Sequence, residues 1–206
     1  MFQVRFHGRG GQGVVTAAEL LSVAAFCEGR HSQAFPSFGS ERTGAPVASY
    51  CRIDDRPIRT REPVTAPDAL VVVDATLVHQ VDLFAGLGPD GYVLVNTSRT
   101  FEDLGLASLR SRFRADRLHT CPATELATVH LGRPLPNVAL LGAFAAVCGQ
   151  VTLDGIWTAI RQRFAGPVAE RNLAAAGAAY GLAATVPSPT SPSSVSTGSP
   201  QGAAAG

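Results

Sequence analysis

Phe2-Gln3-Val4-Arg5-Phe6-His7 runs directly into Gly8-Arg9-Gly10-Gly11-Gln12-Gly13, and a helical pattern opens at Val14. The first six residues alternate apolar and polar, the period of a strand with one covered face. From residue 14 to 28 apolar residues recur at helical spacing, and the pattern stops at Gly29. A strand, a glycine turn and a helix in this order set a β-turn-α unit at the front of an α/β domain. Glycine lets the chain turn tightly and removes side chains that would hold a ligand away. The first helical amides then point outward at the positive end of the helix dipole, which suits a phosphate. A tight turn that binds nothing is the other reading. The spacing Gly8, Gly10, Gly13 also fits a dinucleotide fingerprint, which wants an acidic residue about 20 positions later for a ribose hydroxyl. Residues 30–35 contain no acid, which argues against a nicotinamide-dependent enzyme.

Outward from this unit, the sequence predicts a mixed sheet. Residues 30–46 read as a long irregular, polar and aromatic segment, of the kind that usually carries function. Residues 47–53 return to strand composition, and Asp54-Asp55-Arg56-Pro57 reads as a hairpin turn that pairs them antiparallel with residues 58–61. Ala69-Leu70-Val71-Val72-Val73-Asp74 is the uninterrupted apolar run of a central parallel strand, with a short helix expected at 76–87. Strands are also expected at 91–96 and 117–121. Polar residues follow the strand ends at Asp74, Asn96 and Thr97, where open parallel sheets form ligand crevices; Asp74 fits a helix cap equally well. Helices are expected at about 123–130, 137–150, 153–164 and 167–183, with Asn137, Thr152 and Pro167 as starting residues.

Composition narrows the function. The chain has 206 residues, 46% of them hydrophobic, and a net charge of +1. That supports one compact domain and gives no nucleic-acid footprint. All 17 basic residues are arginine, so a P-loop lysine and a Schiff-base lysine are both excluded. Cys27, Cys51, Cys121 and Cys148 are scattered, without the spacing of zinc or iron–sulfur ligands, and read as buried thiols in a reducing compartment. No targeting or membrane-spanning run is evident, so a cytoplasmic protein is expected. The domain is expected over residues 1–183, with 184–206 a disordered tail rich in serine, proline, glycine and alanine.

The segment Gln33-Ala34-Phe35-Pro36-Ser37-Phe38-Gly39-Ser40-Glu41-Arg42-Thr43-Gly44-Ala45-Pro46 packs aromatics, prolines, glycines and an acid–base pair into fourteen residues. Glu41 and Arg42 are either a solvated pair or a site where the planar arginine fork grips a carboxylate or phosphate. Phe35 and Phe38 suit anchoring of the loop to the domain.

Taken together, these blocks resemble the gamma subunit, or gamma domain, of the pyruvate and related 2-oxoacid:ferredoxin oxidoreductases. The resemblance is carried by the opening glycine turn with Thr16-Ala17-Ala18 behind it, by the 35–46 loop running into Val47 and Arg52-Ile53, and by Pro67-Asp68 leading to Asp74. Pro136-Asn137, Leu141-Gly142-Ala143-Phe144, Glu170 and Asn172 add a weaker block, and coverage runs to about residue 182. The Arg42-Thr43-Gly44-Ala45-Pro46-Val47 stretch resembles pyruvate-type chains, although Thr43 stands where those commonly carry a second arginine.

The resemblance implies a three-layer, Rossmann-like α/β fold with a mostly parallel sheet, an antiparallel edge and C-terminal helices. It implies oxidative decarboxylation of a 2-oxoacid to an acyl-coenzyme A, with electrons passed to ferredoxin or flavodoxin. Thiamine diphosphate with magnesium, and the iron–sulfur clusters, would sit in partner alpha, beta and delta chains. No cofactor would be bound wholly by this chain, and no metal. The gamma part would contribute assembly and the coenzyme A side of the site through Gly8, Arg9, Gly10, Gly11, Gln12, Gly13, Ser37, Gly39, Glu41, Arg42, Thr43 and Gly44. A scaffold role without ligand contact is the alternative, since interfaces also favour aromatic and arginine residues.

Overall fold

The computed structural model describes residues 1–37 and 44–185. The expected tail, apart from Ala184 and Thr185, lies outside the described residues. Six strands form one sheet: β1 (Phe2–Arg9), β2 (His31–Pro36), β3 (Pro46–Asp54), β4 (Ala69–Val72), β5 (Tyr92–Asn96) and β6 (Leu118–Cys121), in the order β2-β3-β1-β4-β5-β6. β1, β4, β5 and β6 run parallel, whereas β3 is antiparallel to both β1 and β2. The helices are α1 (Val14–Cys27), the short α2 (Leu109–Arg112), α3 (Ala123–Leu131), α4 (Asn137–Cys148), α5 (Leu153–Arg163) and α6 (Gly166–Ala184).

Alternation on the strands divides the core in two. Val4, Phe6, Ala69, Val71 and Val73 belong to the core shared with α1, α4, α5 and α6. Leu70, Val72, Val93 and Val95 project to the other face, under Leu77, Leu83, Phe84, Phe101 and Phe113. β4 is buried along its whole length, as its unbroken apolar run requires of a strand covered twice. Phe6 and Phe144 are fully buried, each stabilising the fold by about 2–3 kcal/mol. α4 lies so close to α6 that a β-carbon on Gly142 would sit 2.0 Å from the Ala176 carbonyl oxygen. Thr152 caps α5 as its sequence suggests, accepting from the Gly155 amide at 3.0 Å, and Pro167 lies in the first turn of α6. Asn137 instead opens α4 without capping it.

Three local expectations are corrected. Residues 31–36 are not irregular: they form β2, a half-buried edge strand whose polar composition lacks a β-branched residue and which is held by pairing with β3 and packing on α1. The predicted hairpin with residues 58–61 does not form, because β3 already has β1 on one edge and β2 on the other. Residues 76–87 make a 3-10 turn at Ala75–His79 followed by further turns, and their apolar side chains collapse onto the sheet without an α-helix. The antiparallel edge is therefore β2-β3.

Two buried arginines brace the sheet's far connection. Arg5 donates to the carbonyls of Leu83 and Ala85, both at 2.7 Å. Arg52 donates to Gln3 Oε1 at 3.1 Å and lies 5.0 Å from the centre of the Phe35 ring, which gives Phe35 the anchoring role. Phe38 lies outside the described residues. Cys51, Cys121 and Cys148 are buried free thiols, while Cys27 is exposed at the end of α1, contrary to the expectation that all four are buried.

Candidate functional site

The carboxyl ends of β1 and β4, the start of α1 and the base of the 37–45 loop converge. β1 reaches Arg9, and Gln12 folds back so that its Oε1 accepts from the Arg9 amide at 2.7 Å while its own amide donates to the Arg9 carbonyl at 3.1 Å. The glycines serve different purposes. A β-carbon on Gly8 would lie 2.6 Å from Val14 Cγ2 and 3.0 Å from Val73 Cβ, so its absence lets strand and helix close together. Gly11 and Gly13 have φ of 94° and 74°, in the left-handed region. Among the described residues nothing stands within 4 Å of a β-carbon built on Gly11, whereas one on Gly13 would meet Asn137 Nδ2 at 2.4 Å. Asn137, which is 2% exposed, donates to the Gly13 carbonyl at 3.3 Å.

α1 begins behind this turn with no side-chain cap and no acidic residue in its first turn. The amides of Val14, Val15 and Thr16 precede the first intrahelical bond, from Ala17 to the Gly13 carbonyl at 2.9 Å. The turn thus presents the positive end of a fourteen-residue helix beside an open glycine.

Glycine turn and loop are joined by backbone. The Gly10 amide donates to the Ala45 carbonyl at 3.0 Å, and the Gly44 amide to the Gly10 carbonyl at 3.2 Å. These bonds continue the β1-β3 ladder past its last pair, Arg9 with Pro46. At the other end of the loop, the Ser37 amide donates to the Ala48 carbonyl at 2.9 Å. Of the residues named from the sequence, Gly8, Arg9, Gly10, Gly11, Gln12, Gly13 and Gly44 come together, and Ser37 marks the exit of β2. Gly39, Glu41, Arg42 and Thr43 lie outside the described residues.

Asp74 caps the next segment, as one of its two readings expects, and also bonds to the glycine turn. Its Oδ1 accepts from the Thr76 amide at 2.9 Å, which starts the 3-10 turn. Its Oδ2 accepts from Gln12 Nε2 at 2.8 Å and pairs with Arg9 Nε at 3.1 Å. Partial burial alone would raise its pKa. The hydrogen bonds from Thr76 and Gln12, with the charge of Arg9, outweigh that and hold the carboxyl below its ordinary value. Asn96 has a structural task, tying the Val73 carbonyl to Thr124 at the start of α3, with both bonds at 2.8 Å.

Beside Asp74 opens a cleft of about 250 Å³ lined by Thr76, His79, Thr97, Arg99 and Asp103. Thr97 is one of the strand-end residues expected at a crevice, whereas Thr76, His79, Arg99 and Asp103 carry no signal in the sequence beyond following β4 and β5. His79 Nε2 donates to the Leu104 carbonyl at 2.9 Å, which fixes its proton there. Deeper in β1, His7 has a buried Nε2 without a partner, and burial together with the nearby charge of Arg5 lowers its pKa to about 4. Among the described residues no group of three or more His, Cys, Asp or Glu is placed to hold a metal ion. No described helix is long and apolar enough to cross a membrane.

Comparison with known proteins gives these features a context. The family model for pyruvate ferredoxin/flavodoxin oxidoreductase matches residues 3–182. Pyruvate synthase subunit PorC of Methanothermobacter marburgensis is 49% identical over 180 residues, covering 87% of this chain and 96% of that protein. The pyruvate/ketoisovalerate oxidoreductases common subunit gamma of Pyrococcus furiosus is 47% identical over 180 residues, with the same coverage of 87% and 96%. Among solved structures, pyruvate oxidoreductase subunit PORC of Thermotoga maritima superposes with a TM-score of 0.74 at 36% identity, covering 87% of this chain and 95% of that one. The shared length takes in both the glycine turn and the loop that meets it, and the chain belongs to the pyruvate ferredoxin/flavodoxin oxidoreductase family as a gamma subunit.

Proposed function

We propose that this gamma subunit works in a complex that oxidatively decarboxylates pyruvate, or a branched 2-oxoacid such as ketoisovalerate, to the acyl-coenzyme A and passes the electrons to ferredoxin or flavodoxin. Alpha, beta and delta chains supply thiamine diphosphate, magnesium and the iron–sulfur clusters. Within the complex, the glycine turn and the loop from Ser37 to Gly44 form one wall of the coenzyme A channel.

The observation that supports this reading is the joining of turn and loop at Gly10, Gly44 and Ala45. It brings Gly44, two residues after Arg42 in the sequence, to the turn that precedes the uncapped start of α1. Coenzyme A is long and bears a diphosphate and a 3′-phosphate, so it needs backbone N–H groups and planar cationic forks. Val14, Val15 and Thr16 offer the first, the open face at Gly11 gives access, and Arg42 offers the second.

The test is Arg42→Ala in the assembled enzyme, assayed by coenzyme A-dependent pyruvate oxidation with a viologen dye. The expected result is a rise of about tenfold or more in the KM for coenzyme A, the worth of one charge-assisted contact, with assembly intact. An unchanged KM and turnover would overturn the reading. Loss of assembly would favour a scaffold role for the loop.

A further inference from the structure

Arg9 is the side chain that the turn motif suggests as an anion ligand, yet its guanidinium is committed elsewhere. Nε meets Asp74 Oδ2 at 3.1 Å. Nη1 donates to the Gly44 carbonyl at 3.1 Å, and Nη2 to Thr76 Oγ1 at 2.9 Å and Gln80 Oε1 at 2.8 Å. Four of its five N–H groups are thereby used. Asp74 is fixed in turn by Thr76 and Gln12, and Gln12 closes the circuit by accepting from the Arg9 amide. Three separate segments meet on one fork: the end of β4, the 3-10 turn, and the point where the loop returns to the sheet. A phosphate gripping the fork through two N–H groups would have to displace at least one of these acceptors.

We propose that Arg9 is a positioning residue and not a ligand: supported by Asp74 and Gln12, it pins the Gly44 carbonyl, holds the backbone of Gly44 and Ala45 against the glycine turn, and acts on coenzyme A only through that backbone. The proposal rests on the coenzyme A reading above for its effect on the substrate, and on the hydrogen-bond circuit alone for its effect on the loop.

Arg9→Ala, Asp74→Asn and the double variant, each in the assembled complex, separate the two roles. Amide hydrogen exchange at Gly44 and Ala45 and the KM for coenzyme A are measured together. A positioning role predicts that both single variants speed exchange at Gly44 about tenfold and raise the KM. It also predicts that the double variant exceeds neither, because both substitutions break one unit. A direct ligand predicts the opposite pattern. Asp74→Asn would free the fork and leave the KM unchanged or lower it, while Arg9→Ala would raise the KM with exchange at Gly44 unaltered; that result would overturn the proposal. Where Arg9→Ala fails to fold, Gln80→Ala removes one of the four bonds, spares the ion pair, and should give a smaller change in the same direction. If Arg42→Ala leaves the KM unchanged, the coenzyme A reading falls while the exchange rates still decide whether Arg9 holds the loop.

Discussion

Replacing Gly11 or Gly13 by alanine perturbs one turn in two different ways. At Gly11, φ is 94° and a new β-carbon meets no described residue within 4 Å, so the cost is that of the left-handed backbone, about 1–2 kcal/mol. At Gly13, φ is 74° and the β-carbon would lie 2.4 Å from Asn137 Nδ2 and 2.8 Å from its Cγ. Asn137 is 2% exposed and cannot swing into solvent. Relieving the clash adds about 1–3 kcal/mol of overpacking, and losing the bond to the Gly13 carbonyl about 1 kcal/mol more. Gly13→Ala should therefore cost about 3–6 kcal/mol. For a chain of this size 1 kcal/mol moves Tm by about 2–4 °C. Thermal unfolding of the full chain by far-UV circular dichroism should show losses of about 2–8 °C for Gly11→Ala and about 6–24 °C for Gly13→Ala, the second the larger in the same preparation. In an Asn137→Ala background the added cost of Gly13→Ala should fall to that of strain alone, a coupling of about 2–4 kcal/mol. Equal losses at the two glycines, or strictly additive effects with Asn137→Ala, would refute the assignment of Gly13 to packing.

Two further predictions concern titratable groups. His7 has its pKa lowered to about 4 from 6.5, so between those values the unfolded chain takes up a proton that the folded chain refuses. Its contribution to stability is intact above pH 6.5 and declines as pH falls toward 4, by roughly 2–3 kcal/mol in all; His7→Leu should flatten this part of the Tm–pH curve, and an unchanged slope would contradict it. Burial pushes the thiols of Cys51 and Cys148 well up, and burial with the charge of Glu125 pushes Cys121 up to about 12. Cys27 is exposed, so a maleimide at pH 7 should add one label to the native chain and three more after denaturation, counted by intact mass.

Much of the fold is legible because its strands and helices carry strong periods. Phe2–Arg9 alternates, Ala69–Val72 is unbroken, and Asn137–Cys148 is apolar all round, which fits the most buried helix. β2 was hidden because His31–Pro36 is an edge strand whose stability comes from β3 and α1 and not from its own residues. The partner of β3 was misassigned because the Asp54-Asp55-Arg56-Pro57 turn signal is local, whereas both edges of β3 are filled from elsewhere in the chain. At the site, the glycines and Asp74 could be picked out, but their division of labour could not. Gly8 and Gly13 answer to packing by Val14, Val73 and Asn137, contacts set by tertiary structure. Arg9 reads as a free cation in sequence and is engaged by four acceptors drawn from positions 44 to 80.

As a gamma subunit, this chain functions inside a multi-subunit enzyme. The most direct measurement is the subunit composition and activity of the protein purified from its native host through a removable tag. Co-elution with thiamine- and cluster-bearing chains, together with coenzyme A-dependent viologen reduction by pyruvate or a branched 2-oxoacid, is the predicted result. A chain that elutes alone, with no partner and no such activity in the pool, would contradict it.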